Sequence, residues 1–241
     1  MKRPYVICHI LSALNGRISG PFMGTAAALP AAGAYGSLRA ELESEAWLYG
    51  TTTTKEFTGF QKPDLMEGAE ASGARPAAEE DFVAAHEEKF YYVSIDTRGE
   101  IGWESSKMKR GGKTAHVIEV LTGDTPEDYR AYLRRNGISY IQAGDHELDC
   151  RAALEKLYQL FGIHRLLICG GGQADWTFLD QGMMDELSLV LAPAADGSRG
   201  PSVFDSCEES ESGRAAQFQL KEVKQLEGGV LWLRYQVKGD S

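Results

Sequence analysis

Cysteine is scarce in this sequence. There are four in 241 residues, at positions 8, 150, 169 and 207, with no CxxC pair among them. That spacing argues against a disulfide framework and against a structural zinc site. The five histidines are equally scattered, with no HxH or HExxH, so no metal is expected. No GxSxG elbow supports a hydrolase triad, and the dinucleotide fingerprint GxGxxG is also missing. No run approaches the ~18 apolar residues of a membrane span. The opening MKRPYVICHIL lacks a small-residue cleavage site and reads as a first strand rather than a leader. Positive charge is in the minority: 25 Lys and Arg against 35 Asp and Glu, a net charge of −10. A general nucleic-acid binder is therefore not expected, and any phosphate must be met by a local cation or by backbone amides. The expected setting is a reducing cytoplasm, without a membrane partner.

What is present is a chain long enough for one large domain, at 43% hydrophobic residues. Strand-like and helix-like runs alternate. YVICHIL (5–11) is apolar and β-branched and breaks at Asn15-Gly16. Residues 31–45 carry Leu38 and Leu42 at helical spacing. AWLYG (46–50) is a short strand, after which TTTTKEF begins a helix with threonine as an acceptable cap. Residues 61–81 are rich in Ala, Gly, Pro and acid and read as a surface loop, the centre of an insertion around 58–86. KFYYVSID, AHVIEVLT (115–122) and ISYIQAG are strands. TPEDYRAYLRRNG (125–137) has a Thr cap, an early Pro and a closing Gly. DCRAALEKLYQLFG (149–162) is an amphipathic helix, and HRLLICGGG a buried strand running into glycines. DELSLVLAP (185–193) and GVLWLRYQV (229–237) are the last strands, joined after a polar, loop-like 209–217. The pattern predicts a mainly parallel sheet covered on both faces, closed by an antiparallel C-terminal edge.

Four stretches could carry chemistry. Gly170, Gly171 and Gly172 end a strand and precede a helix that starts near Gln173. Ligands of open α/β sheets sit outside the carboxyl ends of strands, and helix N-termini favour phosphate. The glycines are either a phosphate seat or a tight strand–helix turn. Gly50 with Thr51, Thr52, Thr53 and Thr54 repeats the arrangement, open to a second phosphate or to plain capping. SALNGRISG (12–20) sets Ser12, Asn15 and Arg17 at a strand end, where a simple turn is the alternative. DTRG (96–99) offers Arg98. The basic cluster KMKRGGK (107–113) reads as a solvated loop, with a phosphate contact as the rival reading. Cys169 is a buried strand-end thiol in this reading, not a nucleophile.

Together the pieces resemble one family. PYVICHILSALNGRIS (4–19), LYGTTTT (48–54), YYVSIDTRGEIG (91–102), GIHRLLICGGGQADWTFLDQGMMDELSLVLAPAADG (162–197) and PSVFD (201–205) are similar to blocks of the RibD C-terminal reductase domain, in the same order. The resemblance implies a dihydrofolate reductase-like fold, three-layer α/β/α, in a single domain over 1–241. It implies an NADPH-dependent reductase of a phosphoribosylamino-pyrimidine, 5-amino-6-(5-phosphoribosylamino)uracil, working by hydride transfer to a C=N or C=O carbon, and a homodimer. It places Gly170, Gly171, Gly172 and Gln173 at the pyrophosphate. Gly50, Thr51 and Thr53 fall at the cofactor, Ser94 and Arg98 near the adenosine 2′-phosphate, and Ser12, Asn15 and Arg17 in the catalytic cleft. Two departures stand out: the family commonly carries Asp at position 15 and Glu at position 169, where this chain has Asn15 and Cys169. They keep open a reductase of another pteridine or small carbonyl compound, or a non-catalytic dinucleotide-binding protein. The zinc pattern of a deaminase partner, HxE with PCxxC, is absent from the sequence.

Overall fold

A computed structural model describes residues 2–65, 81–206 and 215–238. From the N-terminus these form β1 (Tyr5–Ala13), α1 (Ala28–Glu41), β2 (Ala46–Tyr49), α2 (Thr51–Phe57), β3 (Tyr91–Ile95), β4 (Lys107–Arg110), β5 (Lys113–Leu121) and α3 (Glu127–Arg135). Then come β6 (Ser139–Gln142), α4 (Cys150–Phe161), β7 (Arg165–Ile168), α5 (Gly172–Asp180), β8 (Glu186–Ala192), β9 (Phe218–Gln225) and β10 (Leu231–Val237). They fall into two compact units, the first Met1–Pro4 with Glu45–His164, the second Tyr5–Ser44 with Arg165–Ser241.

In the first unit β2, β3 and β5 run parallel, Ala46 opposite Tyr91 and Tyr91 opposite His116. The other edge of β5 is shared. Its start pairs antiparallel with β4, and its end pairs parallel with β6. These strands are near-continuous apolar runs because both faces are buried, as in Tyr91, Tyr92, Val93 and Ile95. α4 shows both expected signals: Asp149 caps it by accepting from the Ala152 N–H at 2.9 Å, and Gly162 closes it in the left-handed conformation at φ 66°.

In the second unit β7, β1 and β8 are parallel, and β10 and then β9 continue antiparallel. Alternation along β1 sends odd and even side chains to opposite faces. Leu11 and Ala13 join Phe22, Leu38, Val190 and Trp232 in the core under α1, and His9 stacks on Tyr35 of α1 at 4.5 Å. Cys8, on the opposite face, meets Asp175 of α5. Helices thus cover both faces of this sheet, as the strand–helix alternation predicts.

Several local expectations are corrected. α1 begins at Ala28, a turn earlier than the leucine spacing suggests. Neither threonine cap forms. α2 starts after an extended Gly50 without a side-chain cap, and the Thr51 hydroxyl donates to the Ile95 carbonyl at 2.6 Å. α3 starts after Pro126, and the Thr125 hydroxyl donates to the Thr97 carbonyl at 3.0 Å. In both cases a carbonyl of the β3 end outcompetes the helix amides for the hydroxyl. The basic cluster is not a loop but the β4–β5 hairpin, turned by Gly111 and Gly112 at φ 54° and 76°. Three of its cations are engaged: Lys107 pairs with Glu88 at 2.5 Å, Arg110 lies over the Phe57 ring and Lys113 over the Phe90 ring. β9 carries no sequence expectation at all. It is an edge strand exposed along most of its length, so FQLKEVKQ has no buried face to betray it. Of the loop over 61–81, residues 66–80 lie outside the described residues; Phe82 forms a β-bridge with Tyr140. Residues 207–214, with Cys207, also lie outside them, while Cys8, Cys150 and Cys169 are buried and form no disulfide among the described residues.

Candidate active site

The stretches singled out in the sequence fall at the carboxyl ends of parallel strands, where an open α/β sheet presents its loops to ligands. In the second unit three of them are tied into one structure. After β1 the chain turns through Asn15 and Gly16, the latter at φ 79°. Residues 201–205 then stitch this turn to the glycines after β7. Ile18 N–H donates to Pro201 O at 3.1 Å, Val203 N–H to Gly16 O at 3.1 Å, and Asp205 N–H to Gly172 O at 3.0 Å. Arg17 forms a β-bridge with Ser202, and its guanidinium donates to the Gly200 carbonyl.

The glycines divide their roles. Gly170 and Gly171 adopt φ of 135° and 97°, which side-chain-bearing residues rarely tolerate. A Cβ on Gly170, which is itself buried, would meet only the Ile10 methyl, at 3.9 Å. A Cβ on Gly172 would lie 2.2 Å from the Ser202 carbonyl oxygen and 2.8 Å from an Asp205 carboxylate oxygen. The third glycine is therefore required by the 201–205 segment packed on it. Gly171 caps α5 without a side-chain bond, and the first protein-bonded amide of this turn is that of Asp175, to Gly171 O at 3.0 Å. The preceding amides, with the helix dipole behind them, suit a phosphate group. Bare backbone and amides that have no backbone partner among the described residues fit a dinucleotide pyrophosphate.

Around this loop the side chains are ordered by two carboxylates whose roles the sequence reading missed. Asp196 accepts from the Phe22 N–H at 3.0 Å and from the Ser198 N–H at 2.9 Å, and also from the Ser198 hydroxyl. These bonds hold its carboxyl below the usual range, the Ser198 hydroxyl foremost. The Asp196 carbonyl receives the Asn15 side-chain amide at 2.6 Å. Asp205 accepts from the Ser202 N–H at 2.8 Å and from its hydroxyl. The signal for both was the AP…DG and PSVFD blocks, which marked a family match but no role. Asn15 is exposed, Arg17 half-buried and Gln173 exposed. Ser12 is buried, its hydroxyl 3.2 Å from the Ala13 carbonyl, so it shapes the turn from beneath. Cys169 is buried. Deeper still, burial pushes the Asp175 carboxyl well above its ordinary range, and the Cys8 thiol beside it is raised in turn, chiefly by burial.

In the first unit Gly50 and α2 follow β2, and the turn 96–101 follows β3. Thr51 spends its hydroxyl on Ile95, Thr54 bonds the Tyr92 hydroxyl at 3.1 Å, and Thr53 remains half-buried. Ser94 is wholly buried beside the Glu119 carboxyl, itself raised well above normal by burial, so this hydroxyl does not reach the surface. Arg98 is exposed at the tip of its turn.

A cavity of about 380 Å³ in the second unit lies elsewhere, at the amino ends of β1 and β7 beside Tyr5 and Arg165. Of its cations, Arg234 pairs with Glu186 at 2.6 Å, Lys224 with Glu222 at 2.9 Å, and Arg165 donates to the Leu42 carbonyl at 3.0 Å. Among the described residues no helix is long and apolar enough to cross a membrane.

An α/β scaffold with glycine-bared amides at a strand end defines a class of nucleotide-handling proteins. Within it, this chain belongs to the RibD C-terminal domain family, whose model matches residues 79–232. A 2,5-diamino-6-ribosylamino-4(3H)-pyrimidinone 5′-phosphate reductase of Methanothermobacter thermautotrophicus is 31% identical over 126 residues, 52% of this chain. The match spans 57% of that relative's length. A pyrimidine reductase-like protein of Corynebacterium diphtheriae superposes with a TM-score of 0.68 at 14% identity, covering 98% of this chain and 93% of that one. Acinetobacter baumannii RibD gives a TM-score of 0.62 at 20% identity, covering 98% and 59%. These likenesses bear out the expected fold class: α/β, dihydrofolate reductase-like, mostly parallel with antiparallel strands.

Proposed function

We propose that the chain is an NADPH-dependent reductase of a phosphoribosylamino-pyrimidine of the riboflavin pathway, the substrate class named for its relatives. The observation that carries this reading is the stitched loop of the second unit, in which residues 201–205 hold the Asn15–Arg17 turn against the bare glycine turn. Gly170, Gly171 and the amides through Gln173 hold the cofactor pyrophosphate. Gly50, Thr53 and Arg98 are cofactor contacts of the first unit, Arg98 for the 2′-phosphate. Thr51 and Ser94 support them from inside. When bound, the nicotinamide supplies a hydride to C1′ of the opened ribosylamino substrate.

The chain's own residues do the positioning, which supplies most of the rate in such a reaction. Asn15, anchored on the Asp196 carbonyl, orients a substrate polar group but cannot exchange a proton at neutral pH. Arg17 is held by Gly200 close to the same turn and offers its remaining N–H groups to substrate oxygen. Ser12 sets the turn from below. No carboxyl at positions 15 or 169 stands ready as the acid, so water or the substrate delivers the proton. That feature favours a second reading, a reductase of another pteridine or small carbonyl compound. The protein works as a cytoplasmic homodimer in this proposal; exposed Leu220 and Val223 on edge strand β9 favour self-association.

Thermal unfolding with NADPH and NADH tests the cofactor. Ligand at 100 times its dissociation constant stabilises by ~2.7 kcal/mol, and no shift with either dinucleotide overturns the reading. Substrate-dependent NADPH oxidation, run with pyrimidine and pterin substrates side by side, separates the two substrate classes.

A further inference from the structure

The turn after β3 is built more rigidly than an exposed loop requires. Asp96 is wholly buried, and one of its carboxylate oxygens accepts both the Glu100 N–H at 2.7 Å and the Ile101 N–H at 2.8 Å. The Thr97 carbonyl receives two hydroxyls, from Thr122 at 3.1 Å and Thr125 at 3.0 Å. Gly99 sits at φ 69° flat on Tyr129, where a Cβ would fall 2.7 Å from the ring. Lys55 engages the neighbouring Glu100 at 2.5 Å, and Arg98 acts on the same carboxylate through its charge. A trans peptide points its C=O and the next N–H in opposite directions, and no peptide bond here is cis. With the Thr97 carbonyl drawn toward Thr122 and Thr125, the Arg98 N–H is directed away from them. No group among the described residues accepts from it. The Arg98 side chain is exposed at the same point.

We propose that Asp96, Thr122 and Thr125 are positioning residues for cofactor discrimination. They hold the turn so that Arg98 offers its N–H and its guanidinium together to one phosphomonoester, the 2′-phosphate that separates NADPH from NADH. The proposal rests on the reductase reading above. Charge-assisted bonds from a preorganised donor pair are stronger than those of a mobile arginine, because less ordering accompanies binding.

The test is calorimetric binding of NADPH, NADH, adenosine 2′-monophosphate and adenosine 5′-monophosphate to the full chain. The wild type binds NADPH and the 2′-monophosphate more tightly than their counterparts. Arg98→Ala weakens both by about tenfold or more and leaves NADH unchanged. Asp96→Ala lowers the NADPH-to-NADH preference in the same way, and Asp96→Asn, which keeps an accepting oxygen, restores most of it. If Asp96→Ala fails to fold, the paired Thr122→Val and Thr125→Val changes, which keep shape and remove the hydroxyls, must lower the preference. An unchanged preference in Arg98→Ala, or in any positioning variant that still binds NADH, overturns the proposal. A wild type that binds both dinucleotides equally overturns it while the reductase reading stands. A wild type that binds neither overturns both.

Discussion

Gly172→Ala is the sharpest perturbation of the stitched loop. The new methyl would lie 2.2 Å from the Ser202 carbonyl oxygen and 2.8 Å from the Asp205 carboxylate. Ordinary carbon–oxygen contact needs roughly 1 Å more than the first distance, and the obstacle is backbone, so residues 202–205 must move. That shift loosens the Asp205 N–H bond to Gly172 O and the Arg17–Ser202 bridge. Overpacking costs about 1–3 kcal/mol, and each strained hydrogen bond adds about 1 kcal/mol. The expected loss is therefore about 3–5 kcal/mol in urea unfolding. A further signature separates this from generic damage: kcat/KM falls by more than the cofactor affinity does, because the displaced segment also holds the Asn15–Arg17 turn. A Gly172→Ala protein of wild-type stability and wild-type kcat/KM would refute the reasoning. So would one that lost only cofactor affinity, since that would show residues 201–205 and the Asn15–Arg17 turn to be undisturbed.

Other consequences are as direct. His9 is buried between Ser188 and the Tyr35 carbonyl, and burial lowers its pKa from 6.5 to about 4. The unfolded chain therefore binds the proton more readily, and stability present above pH 6.5 is lost as pH falls toward 4. Linkage puts the His9 share at about 2 kcal/mol between pH 8 and pH 5. Urea midpoints at those two pH values should diverge less for His9→Gln than for wild type; equal divergence would discount His9. Asp175 behaves oppositely. Its raised pKa means stability is lost as pH rises from the ordinary carboxyl range through the folded value, so Asp175→Asn should gain on wild type at neutral pH, by about 1–3 kcal/mol. A variant destabilised at neutral pH would show the carboxyl to be needed. Asn15→Asp should raise turnover of the ribosylamino-pyrimidine if the chain is a reductase that has lost a family carboxyl. No gain in steady-state kinetics would favour the alternative substrate class.

Much of the fold is legible from local chemistry. Apolar runs ending in glycine marked β2 and β7, and Asp149 and Gly162 framed α4. The β4–β5 hairpin had its own signal in the Gly111-Gly112 pair, overlooked because the flanking charges suggested a loop. The threonine caps failed for a reason no local rule contains: carbonyls of a distant strand end offered those hydroxyls a better acceptor. β9 was invisible because an edge strand exposed on both sides needs no hydrophobic period.

The sequence by itself determined the strand–helix alternation, the glycines at a strand end and the family, because these depend on backbone freedom, side-chain period and short ordered blocks. The tertiary structure alone decided which glycine would leave a Cβ almost unopposed and which lies beneath residues 202–205. It also decided that Ser94 points inward, and that Asp96 governs the turn presenting Arg98. Each of those outcomes depends on hydrogen bonds or packing between segments far apart in the chain, and no local pattern records which hydroxyl or carbonyl will arrive beside which amide.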